Sequence, residues 1–315
     1  MHVLLWIDNS EAYIDAINAA GLTDDIALDI VSRKDTPSTE QLTRAEVLMT
    51  NSMPAGVFGR MPNLRWLQAM SAGVDGWMAM PDLPQTLTLT CARGTHRESM
   101  PENIIGALLF VAKPYQKAVA NQKLRKWDQK PAEPLTGKTL GILGLGTIGA
   151  EVARVASALG LRVIGTRRQP RAVDHVAEVL PPEQTPKLLS QADFVLALLP
   201  ATPQTENFIN AERLAMMKPG AWLLNFGRGQ LVNDGDLIEA VQTKTIAGAV
   251  LDVFRQEPLP ASDPYWDTDG IIVLPHIGGP HPERSKIVAR LFVENLERFV
   301  NGQPLREVVD RDAGY

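Results

Sequence analysis

The residues most able to do chemistry lie in four short stretches. Gly144-Leu-Gly146-Thr147-Ile148-Gly149 follows the apolar run Leu-Gly-Ile-Leu and leads into a segment with Ile148, Val152, Val155 and Leu159 at helical spacing. A glycine-rich turn from strand to helix suits a dinucleotide. Gly144 permits the tight turn, Gly146 lets a pyrophosphate approach the backbone, and Gly149 lets the helix pack closely on the strand. The helix start at Thr147 and Ile148 would add free N–H groups and a positive dipole end. A purely structural turn is the competing reading, and the flanking strand and helix favour the nucleotide. The other three stretches are Asn225-Phe-Gly-Arg228-Gly229, Asp252-Val-Phe-Arg-Gln-Glu257-Pro258 and Pro275-His276-Ile-Gly-Gly, each following an apolar run. In open α/β sheets ligands bind at the carboxyl ends of strands, so Arg228, Glu257 and His276 could converge beside a nicotinamide. Taken singly, each has a structural reading: a surface ion pair, a solvated loop charge and a satisfied core histidine.

The run after the glycine loop, Arg162 to Gly165, ends in Thr166-Arg167-Arg168. An NAD site usually has a carboxylate there to hold the ribose hydroxyls, and that carboxylate would repel a 2′-phosphate. Paired guanidinium groups instead bind such a phosphate with charge-assisted, often bidentate hydrogen bonds. NADPH is therefore the expected cofactor, with NADH possible. Two solvated arginines at a loop edge are the alternative.

These stretches need a scaffold of strands alternating with helices. Strands are expected at Val3 to Ile7, Ile26 to Val31, Val47 to Thr50, Leu64 to Ala69 and Leu87 to Thr90. A second series is expected at Lys138 to Leu143, Arg162 to Gly165, Phe194 to Leu199, Trp222 to Phe226, Ile246 to Val253 and Ile271 to Leu274. Their near-continuous apolar character suits strands buried on both faces of a parallel sheet. Between the two series, Ser99 with Glu102 fits a capping box around Pro101, opening a long helix through Ile104, Ile105, Leu108, Leu109 and Val111. After Pro282 a helical pattern returns with Ile287, Leu291 and Leu296. The expected class is α/β, and the order of elements permits one domain inserted in another.

The segments LTGKTLGILGLGTIG, LALLPATPQTENFIN, MKPGAWLLNFGRGQLVNDGDLIEAV, AGAVLDVFRQEPLP and VLPHIGG follow one another between residues 135 and 279. In them the sequence resembles the D-isomer-specific 2-hydroxyacid dehydrogenases, and especially their bacterial glyoxylate/hydroxypyruvate reductase branch, and the resemblance runs from about residue 64 to 300. The resemblance implies two doubly wound parallel-sheet domains. A Rossmann NAD(P)-binding domain, 95–282, would be inserted in a flavodoxin-like substrate domain, 1–94 and 283–315, with nicotinamide and substrate in the cleft. It implies that Arg228 binds substrate, Glu257 and His276 form the catalytic acid/base pair, and Asp252 orients the carboxamide. Pro200 and Thr205 would lie in a cofactor-contacting loop, and Ala72 and Gly73 would offer backbone N–H groups to the substrate carboxylate. These roles fit reduction of a small 2-oxo acid to the D-2-hydroxy acid. Hydride reaching the C2 carbonyl leaves an alkoxide that His276 can protonate, Glu257 favours the charged imidazole, and Arg228 clamps the carboxylate. No metal is required. A homodimer formed through the cofactor domain, with Trp127 in its arm, is also implied. His281 stands where many members have threonine, so a helix-entry residue is expected there rather than a substrate contact.

Composition narrows the rest. A 315-residue chain with 45% hydrophobic and 21% charged residues has room for two domains. A net charge of −5 gives no general attraction for nucleic acid or an anionic membrane, so an acidic substrate must be drawn in by local positive charge. Cys91, the single cysteine, allows no intrachain disulfide or cysteine-rich metal site and fits a cytoplasmic setting. No apolar stretch approaches the length that spans a bilayer. Two other functions remain open. One is a reductase of bulkier 2-oxo acids such as phenylpyruvate, with Met53, Phe58, Trp66 and Trp77 lining an apolar pocket, although core packing is their default role. The other is a dinucleotide-sensing binding protein, which the fold alone permits.

Overall fold

The computed structural model describes residues 1–314. The chain forms two compact units, Met1–Thr95 with the chain from His281 on, and His96–Pro280. Each contains one parallel sheet.

In the first unit the strands are β1 (His2–Trp6), β2 (Ala27–Val31), β3 (Val47–Thr50), β4 (Trp66–Ala69) and β5 (Thr88–Thr90), in the order β2-β1-β3-β4-β5. This is the flavodoxin-like order, with the chain reversing its direction of strand addition beside β1. Alternation along β1 sends Val3 and Leu5 to one face and Leu4 and Trp6 to the other, each into its own apolar cluster. The helices Glu11–Ala19 and Arg284–Val300 pack together on the first face. Phe292 and Phe299 bring their rings within 5.4 Å of Trp66, whose indole N–H donates to Thr90 Oγ1 at 2.8 Å. The buried side of the last helix is formed by Val288, Ala289, Phe292, Val293 and Leu296.

The second unit holds β6 (Thr139–Leu143), β7 (Arg162–Thr166), β8 (Glu178–Leu180), β9 (Phe194–Ala197), β10 (Trp222–Asn225), β11 (Gly248–Leu251) and β12 (Ile271–Val273). Their order is β12-β11-β10-β9-β6-β7-β8. The sheet thus begins at β6, grows to β8 on one side, then crosses to β9 and grows to β12, as in a Rossmann fold. All five residues of β6 are buried, as a central strand requires. Register places Leu143 beside both Thr166 and Ala197, so the carboxyl ends of β7, β6 and β9 share one edge at the switch point. It also places Asn225 beside Leu251 and Leu251 beside Val273, aligning the ends of β10, β11 and β12.

The strands expected from sequence are present, and β8 is one that the reading left out. The helix expected at Ser99 spans Ser99–Ala112 and buries Ile104, Ile105 and Leu108. Its capping box does not form. Glu98 occupies the N-cap position in helical conformation, and the Ser99 hydroxyl donates instead to the Gly279 carbonyl at 3.0 Å. Ser99 is already inside the first turn, and a long-range acceptor takes its hydroxyl.

Candidate active site

The glycine loop leaves β6 at the switch point. Gly144 has φ +101°, a backbone that side-chain-bearing residues rarely adopt. A Cβ on Gly149 would meet the Gly144 carbonyl oxygen at 2.9 Å and Ile142 Cγ2 at 3.3 Å, so the helix Thr147–Ala158 sits too close to β6 for alanine. A Cβ on Gly146 would meet nothing within 4 Å. That glycine opens onto free space at the N-cap, and no side chain among the described residues caps the helix. A bare backbone concavity and an uncapped helix start fit a dinucleotide pyrophosphate. Arg167 and Arg168 follow β7 next to this loop, Arg167 half-buried and Arg168 exposed. Thr166 is buried, its carbonyl accepting the Leu145 N–H at 2.8 Å. After β9, Thr205 donates to the Pro200 carbonyl at 2.6 Å and accepts from the Thr202 N–H at 2.8 Å, bracing its own loop.

Arg228, Glu257 and His276 lie just beyond the aligned ends of β10, β11 and β12. Buried Asn225 shapes the turn before Arg228, accepting the Gly227 N–H at 3.2 Å and donating to the Arg228 carbonyl at 2.9 Å. Half-buried Arg228 also turns one guanidinium N–H back to the Gly227 carbonyl at 2.8 Å. Gly229 presses this turn onto the next loop: a Cβ there would lie 2.0 Å from the Phe254 carbonyl carbon. Glu257 Oε1 accepts the Phe254 N–H at 2.9 Å, fixing the carboxylate, and Oε2 meets His276 Nδ1 at 2.6 Å. With Nδ1 engaged, Nε2 is the nitrogen left for a reacting group. His276 has φ +53°, a strained conformation for a non-glycine residue.

Asp252, 1% exposed, supports the same loop. Its Oδ1 accepts the Ile277 N–H at 2.8 Å and the Gly278 N–H at 3.1 Å, and Oδ2 receives the Gly278 N–H at 3.0 Å. Burial pushes this carboxyl above the ordinary carboxylate range, against the opposing pull of those N–H groups. Ala72 and Gly73 belong to the other unit, half-buried past the end of β4, where Ser71 donates to the Gly73 carbonyl at 2.6 Å.

The model of the D-isomer specific 2-hydroxyacid dehydrogenase NAD-binding domain matches residues 105–278. The chain belongs to this family. It is an NAD(P)-dependent oxidoreductase with a nicotinamide dinucleotide as cofactor. Among family relatives, the glycerate dehydrogenase of Methylorubrum extorquens is 32% identical over 277 residues, 84% of this chain and 86% of that protein. The Xanthobacter autotrophicus Py2 D-isomer specific 2-hydroxyacid dehydrogenase, solved with NADPH and MES, is 30% identical with a TM-score of 0.89, covering 100% of this chain and 99% of that one. The NADPH-dependent glyoxylate/hydroxypyruvate reductase of Sinorhizobium meliloti, solved with NADP and sulfate, is 27% identical with a TM-score of 0.88 over the same shares.

Sequence reasoning missed Asn225 and the polar face of the Ser99–Ala112 helix. Asn225 stood inside a motif already quoted, two residues before the glycine of the turn. Met53, Phe58, Trp66 and Trp77 are all buried and pack in the core of the first unit, the default role expected of them. His281 stands at the entry to the last helix, with Nε2 3.5 Å from the Thr95 carbonyl. No helix among the described residues is long and apolar enough to cross a membrane.

Proposed function

We propose that this dehydrogenase reduces a small 2-oxo acid of the glyoxylate/hydroxypyruvate type to the D-2-hydroxy acid, with NADPH as preferred reductant and His276 as proton donor. The observation carrying this reading is the 2.6 Å contact between Glu257 Oε2 and His276 Nδ1 at the ends of adjacent strands. Gly144, Gly146, Thr147, Ile148 and Gly149 would hold the pyrophosphate, and Thr166, Arg167 and Arg168 the 2′-phosphorylated ribose. Pro200, Thr205 and Asp252 would bound the remainder of the cofactor site. The reduced nicotinamide, when bound, supplies the hydride. Arg228 clamps the substrate carboxylate and polarises the C2 carbonyl, aided by the Ala72 and Gly73 N–H groups. His276 holds a proton on Nε2 and delivers it to the C2 oxygen as negative charge develops there. Glu257 fixes the imidazole orientation through its contact with Nδ1.

The test is NADPH oxidation with glyoxylate, hydroxypyruvate, pyruvate and phenylpyruvate. Highest kcat/KM with one of the first two supports the proposal. Highest kcat/KM with phenylpyruvate would replace it with a bulkier substrate, and tight NADPH binding with no turnover would replace it with a dinucleotide sensor. Met53, Phe58, Trp66 and Trp77 pack in the core of the first unit, so they lend no support to the bulky acid.

The working form proposed is a cytoplasmic homodimer. Its support is a run of exposed apolar side chains on one unit: Tyr115, Val119, Leu124 and Trp127, with Trp127 91% exposed. Such patches mark association surfaces, and light scattering at a single chain mass would contradict it.

A further inference from the structure

The loop that carries His276 is held largely by side chains. The Ile277 and Gly278 N–H groups go to Asp252. On the opposite side, the Asn103 amide nitrogen donates to the Gly278 carbonyl at 3.0 Å and the Ile277 carbonyl at 3.4 Å. The Gly279 carbonyl accepts from Ser99 Oγ at 3.0 Å and from His96 Nδ1 at 2.8 Å, which places a proton on that nitrogen. Backbone groups in folded proteins mostly pair with other backbone groups. Here the amides of 277 and 278 and the carbonyls of 277 to 279 meet side chains, so this helix and Asp252 decide where the loop lies.

Ser99 and Asn103 stand one turn apart on the Ser99–Ala112 helix and present their donors from one face. The loop begins with His276 at φ +53°, a conformation that persists only where the surroundings over-determine it. A Cβ on Gly279 would lie 3.1 Å from His96 Cε1, so the loop also fits closely against the residue leading into the helix. We propose that Asn103, with Ser99 and His96, is a positioning residue for His276, fixing the height of the imidazole above the sheet by holding the three carbonyls that follow it. This rests on the reading of His276 as proton donor.

The amide of Asn103 suits this work because its nitrogen carries two N–H groups, which serve two successive carbonyls. Aspartate would accept only and would repel the same oxygens. Leucine keeps the branching at Cγ and the number of side-chain heavy atoms, and donates nothing. Asn103 is itself exposed, so both substitutions leave the core intact.

Asn103→Leu and Asn103→Asp are compared with wild type in three measurements: steady-state kinetics with glyoxylate, NADPH affinity by cofactor fluorescence, and amide hydrogen exchange over 271–280. Misplacement of a reacting group by about 1 Å can cost up to about 100-fold in rate. The expected result is a kcat lowered about ten-fold in both variants, with NADPH affinity within about two-fold and faster exchange at Ile277 and Gly278. The alkaline limb of the kcat profile is expected to shift as well. Ser99→Ala, which removes one of two donors to the Gly279 carbonyl, is expected to lower kcat by about two- to three-fold and carries the test if the Asn103 variants do not fold. A wild-type kcat in Asn103→Leu, or a kcat loss with exchange and pH profile unchanged, overturns the proposal. His276→Ala separates the two claims. If it retains wild-type kcat the proton-donor reading falls, and if it is inactive while Asn103→Leu is normal only the positioning role falls.

Discussion

Replacing Asp252 by alanine and by asparagine separates the two things its carboxylate does. At 1% exposure it accepts the Ile277 and Gly278 N–H groups, and it carries a charge that burial disfavours. In Asp252→Ala both N–H groups lose their acceptor. An orphaned buried N–H costs about 1–3 kcal/mol, and Ile277 is 47% exposed, so water can recover part of its share. Removing a disfavoured charge returns a little more, and the net expected loss is about 2–3 kcal/mol. In Asp252→Asn, Oδ1 still accepts from both N–H groups, but the amide nitrogen takes the place of Oδ2 at 3.0 Å from the Gly278 nitrogen, donor against donor, so a loss of about 1 kcal/mol, smaller than that of alanine, is expected. The pH dependence has a definite sign. A carboxyl raised in the native state binds its proton more tightly there than in the unfolded chain. Wild-type stability from this group is therefore full below the unfolded value of about 3.9, and it falls as pH rises through the raised native value. Asparagine has no such slope, so its stability relative to wild type should climb across that interval and then level off. Urea unfolding of the three proteins at several pH values from 4 to 8 measures this. An asparagine variant as unstable as the alanine variant, or an asparagine-to-wild-type difference that is flat with pH, would contradict these two roles of Asp252.

Gly229→Ala should place a methyl 2.0 Å from the Phe254 carbonyl carbon and 2.4 Å from the Arg255 nitrogen, forcing the Arg228 and Glu257 loops apart. A loss of about 1–3 kcal/mol and a fall in kcat/KM of about 100-fold are expected, read by thermal unfolding and steady-state kinetics. Replacing Arg167 and Arg168 together with alanine should lower kcat/KM with NADPH at least about ten-fold while changing that with NADH less than about two-fold. Equal losses with both cofactors would contradict the assignment of these arginines to a 2′-phosphate.

Much of the scaffold was legible because parallel strands covered on both faces must be apolar along their length, and β6, β9 and β11 are buried at every position. β8 was not, because three residues beginning with Glu178 at a sheet edge make no such run. The placement of Arg228, Glu257 and His276 beyond strand ends was readable, since each follows an apolar segment. The approach of Glu257 to His276 was readable only through the family resemblance and not from spacing, because it depends on the register of β11 and β12 and on the φ of His276. Ser99 shows the same limit from the other direction. Its spacing to Glu102 matches a local cap, but its hydroxyl goes to a carbonyl 180 residues away, beyond the reach of any local pattern. Trp66 is large, apolar and near the substrate loop in sequence, yet strand alternation turns its ring inward to Phe292 and Phe299.

The role of His276 as proton donor is tested by His276→Ala, assayed for glyoxylate- or hydroxypyruvate-dependent NADPH oxidation alongside NADPH binding by fluorescence. Loss of the proton donor predicts kcat/KM lowered by about 100- to 10,000-fold with NADPH affinity essentially unchanged. A variant that turns over within a few-fold of wild type would contradict the assignment of His276 as the acid.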